Sequence, residues 1–186
     1  MRGLKGKNVL VTGGASGIGQ ATASRVIEEG SSVCVIDINK KSRKKLAKEL
    51  PELRAVIPCD VSNHRQVQKG FSQAVDAMGS VDILINNAGI SIRHNFLNIT
   101  PENLDRVLGV NLKGVFYVAQ AAARHMVKKG SGVILNTVST AAATGYPYYA
   151  DYCASKGGVQ SLTRAMALEL APVVRVNGVS LSLIHI

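Results

Sequence analysis

Features that mark several large protein classes are missing from this chain of 186 residues. No apolar run approaches the ~20 residues that a membrane-spanning helix requires. Residues 1–7 lead straight into an apolar strand pattern and contain no signal-peptide core. We therefore expect a cytoplasmic protein without a membrane partner, and its length suits a single domain around one sizeable core.

Cysteine and histidine are too few and too scattered to predict a disulfide framework or a metal site. Cys34 falls inside a predicted strand and Cys59 at the end of another, which favours buried free thiols over bridges. Cys153 stands far from both in the chain. The four histidines show no ligand spacing with one another or with the cysteines. We expect no bound metal.

Acidic residues are also scarce, with 12 against 22 basic ones and a net charge of +10. Such a charge raises the possibility of nucleic-acid binding. However, residues 40–48 hold six of the basic side chains and read as one solvated helix with Leu46, Ala47 and Leu50 on its inner side. Interleaved aromatic residues and zinc-finger or RNA-binding signatures are absent. We expect no nucleic-acid partner, but a surface that attracts phosphate-bearing small molecules.

Apolar runs of strand length alternate with helical patterns along nearly the whole chain. Strands that are almost continuously apolar, alternating with helices, indicate a parallel sheet covered on both faces. The sequence predicts one doubly wound α/β domain over residues 1–180. Its predicted strands are 8–12, 32–37, 54–59, 81–86, 132–139 and 175–179, and its helices are 17–29, a basic helix ending before residue 51, 63–78, 100–129 with a break near residue 111, and 149–171.

A glycine-rich loop, Thr12–Gly19, separates the first strand from the first helix. Glycines there let backbone N–H groups approach a pyrophosphate at the positive end of the helix. Asp37 ends the next strand, at about the distance expected for a ribose-binding carboxylate. A carboxylate would repel the 2′-phosphate of NADP, so NAD is favoured. Lys40 and Lys41 lie just downstream and could reach that phosphate, so NADP is an alternative cofactor. Asp37 could instead cap the following helix.

Tyr152 and Lys156 lie four residues apart, which places them on one face of a helix. A free tyrosine has a pKa of about 10 and is a poor base at neutral pH. A cation ~4 Å away at an effective dielectric of ~20 favours the phenolate by up to roughly 4 kcal/mol, or about three pKa units. The pair therefore suits general acid/base chemistry near neutral pH.

Five motifs in order resemble the short-chain dehydrogenase/reductase family over nearly the whole chain. The glycine loop resembles the family's cofactor loop, and Asn86-Asn87-Ala88-Gly89 its second signature. Asp60-Val61 resembles the pair that meets the adenine. The family's catalytic tetrad is matched by Asn111, Ser139, Tyr152 and Lys156.

The resemblance implies hydride transfer with Tyr152 as the proton donor and acceptor. Lys156 would lower the pKa of Tyr152 and bind the nicotinamide ribose, and Ser139 would donate a hydrogen bond to the substrate oxygen. Asn111 would hold a water that links Lys156 to solvent. Taken alone, Ser139 could simply end a strand, and Asn111 could form hydrogen bonds with backbone groups at a helix kink. The implied NAD-binding residues are Gly13, Ser16, Gly17, Ile18, Gly19, Asp37, Asp60, Val61, Asn87, Ala88, Gly89, Tyr152 and Lys156.

The family resemblance also implies the strand order 3-2-1-4-5-6 with a seventh strand at one edge. After residues 175–180 the family pattern expects Pro-Gly, a lid, a helix and that strand, whereas this sequence reads Leu-Ser-Leu-Ile-His-Ile. The in-frame translation of CTG TCT CTT ATA CAC ATC, a transposon adapter end used in DNA library preparation, gives the same six residues. We expect residues 181–186 to be an artefact and the natural protein to continue. The family's helical pairing predicts a homodimer or homotetramer of the intact enzyme.

Three functions fit these motifs. The leading prediction is an NAD-dependent dehydrogenase or reductase acting on a secondary alcohol or carbonyl, a small-molecule substrate. An NADPH-dependent 3-oxoacyl carrier-protein reductase is the alternative within the family, since a basic surface suits an acidic carrier protein. The third possibility is a catalytically inert dinucleotide-binding fragment.

Overall fold

The computed structural model describes residues 3–182 and contains one parallel six-stranded sheet. The strand order is β3-β2-β1-β4-β5-β6, as the family resemblance implies, and every pairing is parallel. The strands are β1 (Asn8–Thr12), β2 (Ser32–Asp37), β3 (Ala55–Pro58), β4 (Ile83–Asn86), β5 (Gly132–Ser139) and β6 (Val174–Leu181).

Helices connect the strands and cover both faces of the sheet, which confirms the doubly wound α/β class. They are α1 (Gly17–Glu28), α2 (Lys40–Glu49), α3 (His64–Met78), α4 (Pro101–Leu108), α5 (Val115–Lys129), α6 (Ala141–Thr144) and α7 (Ala150–Leu170), with a 3-10 turn at Phe96–Asn98 and a π-helix at Gly109–Gly114. None of the helices in residues 3–182 is long and apolar enough to span a membrane.

The central strand β1 shows why both faces must be covered. Val9, Leu10 and Val11 are all fully buried. Because successive strand side chains point to opposite faces, Leu10 joins the core on one face with Leu84 and Met126. Val9 and Val11 join a second core on the opposite face, beneath α1 and α2. The nearly continuous apolar strands therefore pack against helices on both sides.

The break that the sequence predicts near Asn111 is the π-helix between α4 and α5. This wider turn places the Asn111 side chain, fully buried, toward the carboxyl ends of the strands. Thr100 caps α4 by accepting a hydrogen bond from the Asn103 amide at 3.3 Å, with Pro101 at the first helical position. The predicted helix of residues 100–129 is thus three consecutive helical segments.

Several predicted details are wrong. Ala47 is exposed rather than on the inner side of α2, where Leu46 alone is fully buried. The sixth strand was predicted over 175–179 but spans Val174–Leu181, and Leu181 pairs with Ser139. Neither α6 nor the 3-10 turn was predicted. Residues 183–186 of the predicted tail lie outside the described residues.

Candidate active site

The glycine loop follows β1 and lies against the segment that follows β4. Gly13 has a φ of +61°, and a Cβ on it would lie 2.8 Å from the Cα of Ala88. A Cβ on Gly19 would lie 2.2 Å from the Gly13 carbonyl oxygen and 2.6 Å from the Asn87 side-chain nitrogen. Since real Cβ atoms do not approach other atoms so closely, both positions require glycine for packing.

Side-chain hydrogen bonds fasten the same two segments together. The Thr12 hydroxyl accepts from the backbone amides of Asn87 and Ala88, each at 3.0 Å. The Asn87 side chain donates to the carbonyls of Thr12 and Gly13, both at 3.2 Å. Asn86 donates to the Val115 carbonyl at 2.9 Å and thereby joins β4 to α5. Sequence reasoning placed Thr12 in the glycine loop but gave it no role of its own, because the amides of Asn87 and Ala88 are backbone groups that leave no residue pattern.

The N-terminus of α1 opens onto a cleft beside this loop. Ser16 is the N-cap but accepts no hydrogen bond through its side chain, and Ser16 and Ile18 are exposed. The first backbone N–H groups of a helix lack intrahelical partners and attract anions. Asp37, at the end of β2, accepts hydrogen bonds from the amides of Ala15 at 3.0 Å and Asn39 at 2.8 Å. This end of the cleft therefore presents free amides next to a fixed carboxylate.

Asp60 and Val61 continue the same wall beyond β3. The Asp60 carboxylate accepts from the amide and hydroxyl of Ser62, at 2.9 and 2.7 Å. Val61 is buried against the π-helix, where a Cβ on Gly114 would lie 2.8 Å from a Val61 methyl carbon. The contact between Val61 and Gly114 joins two parts of the cleft. One is the end at which the family resemblance places the adenine, and the other is the π-helix that carries Asn111.

Tyr152 and Lys156 meet on one face of α7, as their spacing predicts. The Lys156 Nζ lies 5.8 Å from the centre of the Tyr152 ring and donates to the Thr137 carbonyl at 2.7 Å. Lys156 is only 4% exposed. Burial lowers the pKa of Lys156 from 10.5 to about 8, because a charged ammonium loses its hydration there.

Asn111 lies behind Lys156 and connects three elements. Its side chain accepts from the Ile90 amide at 2.8 Å and donates to the Ile90 carbonyl at 2.9 Å. It also donates to the Ser155 hydroxyl at 3.1 Å. A Cβ on Gly89 would lie 3.3 Å from the Asn111 oxygen and 3.8 Å from the Lys156 Nζ, so these groups are near neighbours. The predicted role of Asn111 in holding a water stays a prediction.

Ser139 ends β5 and is 3% exposed. Its hydroxyl oxygen accepts a hydrogen bond from the Ala141 amide at 3.1 Å, which leaves its hydrogen available for another acceptor. The start of α6 thus orients the Ser139 side chain at the cleft.

One cleft of about 630 Å³ brings most of the predicted site residues together. Gly17, Gly19 and Asn111 are not among its lining residues in the described part of the chain. The cleft also has walls that sequence reasoning missed, including Thr137 and Arg106. The predicted residues that line it are Gly13, Ser16, Ile18, Asp37, Asp60, Val61, Asn87, Ala88, Gly89, Ser139, Tyr152 and Lys156.

Comparison with known families agrees with this arrangement. The family model described as short chain dehydrogenase matches residues 7–185. This chain belongs to the short-chain dehydrogenase family. It therefore has the nucleotide-binding fold of an oxidoreductase family, as the glycine loop and the strand order indicated.

Several members resemble the chain over most of its length. The 3-oxoacyl-[acyl-carrier-protein] reductase of Thermotoga maritima is 38% identical over 95% of this chain and 74% of its own length. The meso-2,3-butanediol dehydrogenase of Serratia marcescens is also 38% identical, over 96% of this chain and 71% of its own. The crystal structure of the Brucella melitensis 3-ketoacyl-(acyl-carrier-protein) reductase complexed with NADH superposes with a TM-score of 0.92 at 36% identity, covering 96% of this chain and 76% of that one.

Proposed function

We propose that this chain is an oxidoreductase that transfers hydride between NAD(H) and a secondary alcohol or carbonyl compound. The observation that carries the proposal is a single cleft with Asp37 and the N-terminus of α1 at one end and Tyr152 beside the buried Lys156 at the other. No other arrangement among the described residues combines a phosphate-binding loop with a general acid/base.

The chain's own residues fit a nicotinamide dinucleotide. The unpaired amides at the start of α1 suit a pyrophosphate, and the exposed Ser16 and Ile18 leave that helix end open. Asp37, which already accepts two backbone hydrogen bonds, has the charge to accept ribose hydroxyls as well. When bound, the nicotinamide donates or accepts the hydride.

Tyr152 moves the proton in this proposal. Its phenol oxygen gives a proton to the substrate oxygen during reduction and takes one back during oxidation. Lys156, whose pKa of about 8 leaves it largely protonated at neutral pH, places a positive charge 5.8 Å from the centre of the Tyr152 ring. The Ser139 hydroxyl donates a hydrogen bond to the substrate oxygen, so that negative charge developing there meets a fixed dipole.

The position of Asp37 supports NAD over NADP. A 2′-phosphate next to this carboxylate would place two negative groups together. Lys40 and Lys41, which could offset that repulsion, are exposed and do not line the cleft among the residues described. Two relatives of known structure, the NADH complex from Brucella melitensis and an NAD+-bound xylitol dehydrogenase, support the same preference.

Reduction of a 3-oxoacyl carrier-protein thioester is the second candidate. The similarity to the Thermotoga maritima reductase and the net charge of +10 favour it, since carrier proteins are acidic. Tighter binding of NADPH than NADH would favour this candidate over the leading one.

The test is a screen of the purified chain, oxidising secondary alcohols and polyols with NAD+ and reducing ketones and 3-oxoacyl thioesters with NADH. The near-ultraviolet absorbance of the reduced nicotinamide reports turnover. We expect turnover of at least one compound with NAD(H) at a higher kcat/KM than with NADP(H). Binding of NADH without turnover of any compound would instead favour an inert dinucleotide-binding protein.

A further inference from the structure

A half-buried histidine and a buried aspartate lie close together beside Tyr152. The His94 Nε2 lies 3.6 Å from the Asp151 Oδ2. Both are buried atoms that lack a hydrogen-bond partner among residues 3–182. The Asp151 side chain is 0% exposed and that of His94 13%. Because a buried carboxylate oxygen without a hydrogen bond is costly, the pairing of Asp151 Oδ2 with His94 needs an explanation, and the proposed proton transfer does not give one.

Asp151 contacts the proposed acid/base residue directly. Its other oxygen, Oδ1, accepts a hydrogen bond from the Tyr152 backbone amide at 2.8 Å. Asp151 also lies in the first turn of α7, where the helix dipole favours a negative side chain. One carboxylate thus lies between the backbone of Tyr152 and the imidazole of His94.

His94 is in turn fixed to the turn that precedes α7. Its backbone amide donates to the Tyr148 carbonyl at 2.9 Å. The neighbouring Arg93 guanidinium lies over the Tyr148 ring, 4.7 Å from its centre. Tyr148 has a φ of +70°, which non-glycine residues adopt only where the surrounding structure holds them. The loop after β4 therefore holds this turn through its backbone and its side chains.

We propose that His94 is a positioning residue for Tyr152. Its Nε2–H donates to the Asp151 Oδ2, and the carboxylate in turn fixes the first turn of α7. A small rotation of the imidazole is enough to shorten the 3.6 Å separation to a hydrogen bond of about 3 Å. This inference rests on the proposed function, because it concerns how Tyr152 is aligned with the substrate oxygen. Neither His94 nor Asp151 lines the cleft in the described part of the chain, so neither contacts the reacting atoms.

The first experiment compares steady-state kinetics of His94→Ala, His94→Gln, Asp151→Asn and the His94→Ala/Asp151→Asn double variant. Misplacing an acid/base group by about 1 Å can cost up to ~100-fold in rate. We expect His94→Ala to lower kcat by roughly 10- to 100-fold with an unchanged KM for NAD+. Glutamine also carries an N–H at its end, so His94→Gln should retain most of the activity. The double variant should be no slower than either single variant, since the two residues act as one unit.

The second experiment does not depend on turnover. Nuclear magnetic resonance of the NADH complex with isotope-labelled tyrosine reports the Tyr152 ring, whose signal is identified by its loss in Tyr152→Phe. His94→Ala should shift or broaden this signal, and His94→Gln should restore it. The matched control is His64→Ala, an exposed histidine at the start of α3, which should leave both kcat and the ring signal unchanged.

Three results would overturn the inference: wild-type kcat and ring signal in His94→Ala, equal losses in His64→Ala, or additive losses in the double variant. If the wild-type chain turns over no alcohol or carbonyl, the proposed function fails, and the ring signal alone then decides whether His94 positions Tyr152. If His94→Ala does not fold, His94→Gln and Asp151→Asn decide the question, because each new side chain is close in size to the one that it replaces.

Discussion

The two ends of the cleft are built in different ways. At the glycine loop, backbone packs against backbone, with Gly13 against Ala88 and Gly19 against Gly13. At the end that holds Tyr152 and Lys156, individual side chains make the contacts: Lys156 donates to a carbonyl of β5, and Asn111 joins the π-helix to α7. A small steric change should therefore disrupt the loop end as a whole, whereas loss of one group at the Tyr152 end should affect the proposed chemistry more than folding.

The largest effect on stability is expected from Gly19→Ala. The added methyl would overlap the Gly13 carbonyl at 2.2 Å and the Asn87 side chain at 2.6 Å. We expect a loss of about 3 kcal/mol in the free energy of unfolding and no measurable binding of NADH. Denaturant unfolding and fluorescence titration with NADH measure the two effects.

The matched control is Gly157→Ala in α7, where the nearest atom outside the backbone of α7 would be the Ala142 carbonyl oxygen at 3.9 Å. It should be neutral or stabilising by up to about 1 kcal/mol, because alanine favours a helix. If Gly19→Ala kept the wild-type stability and NADH affinity, the loop would not be packed as described.

Lys156 gives the next largest effect, which depends on pH. Its pKa is about 8 in the folded protein and 10.5 when exposed. Between these values the unfolded chain binds a proton at Lys156 that the folded chain does not, so the free energy of unfolding rises with pH. The rise amounts to about 3 kcal/mol.

Lys156→Met should lack this rise. The measurement is the difference in unfolding free energy between wild type and Lys156→Met from pH 8 to 10.5, in which contributions of the other lysines cancel. Parallel curves for the two proteins would show that Lys156 keeps an ordinary pKa, and the description of a desolvated ammonium would be wrong.

Asp37 is expected to have a moderate effect, confined to cofactor binding. Asp37→Asn keeps an acceptor for the Ala15 amide but removes the charge. Hydrogen bonds to charged groups contribute about 1.5 kcal/mol or more, so NADH should bind roughly tenfold more weakly. NADPH should bind relatively better. Asp76→Asn, on the exposed face of α3, serves as the control. An unchanged ratio of NADH to NADPH affinity would contradict the assignment of Asp37 to the ribose.

Ser155→Ala should give the smallest effect. The buried Ser155 hydroxyl donates to the Tyr152 carbonyl at 2.7 Å and accepts from the Asn111 side chain at 3.1 Å. Its loss should cost about 1 kcal/mol of stability while NADH still binds. Ser161→Ala, exposed on the same helix, should cost nothing measurable. If Ser155→Ala abolished NADH binding, the two ends of the cleft would not be separable as proposed.

Sequence reasoning succeeded where the signal was local. The strands β2 and β5 begin and end at the predicted residues. The apolar run of β2 lies between Ser32 and Asp37, and β5 begins at Gly132 and ends at Ser139. The break at Asn111 was predicted as well, and so was the meeting of Tyr152 and Lys156, which depends only on helical spacing. These features need no knowledge of which elements become neighbours.

Features that depend on tertiary placement could not be predicted. The rotation of α2 that leaves Ala47 exposed depends on how the helix packs, which the sequence period alone does not fix. The Thr137 carbonyl that holds Lys156 is a backbone group, and every residue has one. His94 and Asp151 lie far apart in the chain and follow no motif spacing, so their juxtaposition emerges only from the fold.

The most direct test of the proposed function is Tyr152→Phe, measured for turnover and for NADH binding in the same preparation. A general acid/base contributes about 10²- to 10⁴-fold to the rate. With the best substrate of the screen, we predict a loss of kcat in this range and an unchanged dissociation constant for NADH. Turnover at the wild-type rate in Tyr152→Phe would contradict the central claim that Tyr152 moves the proton.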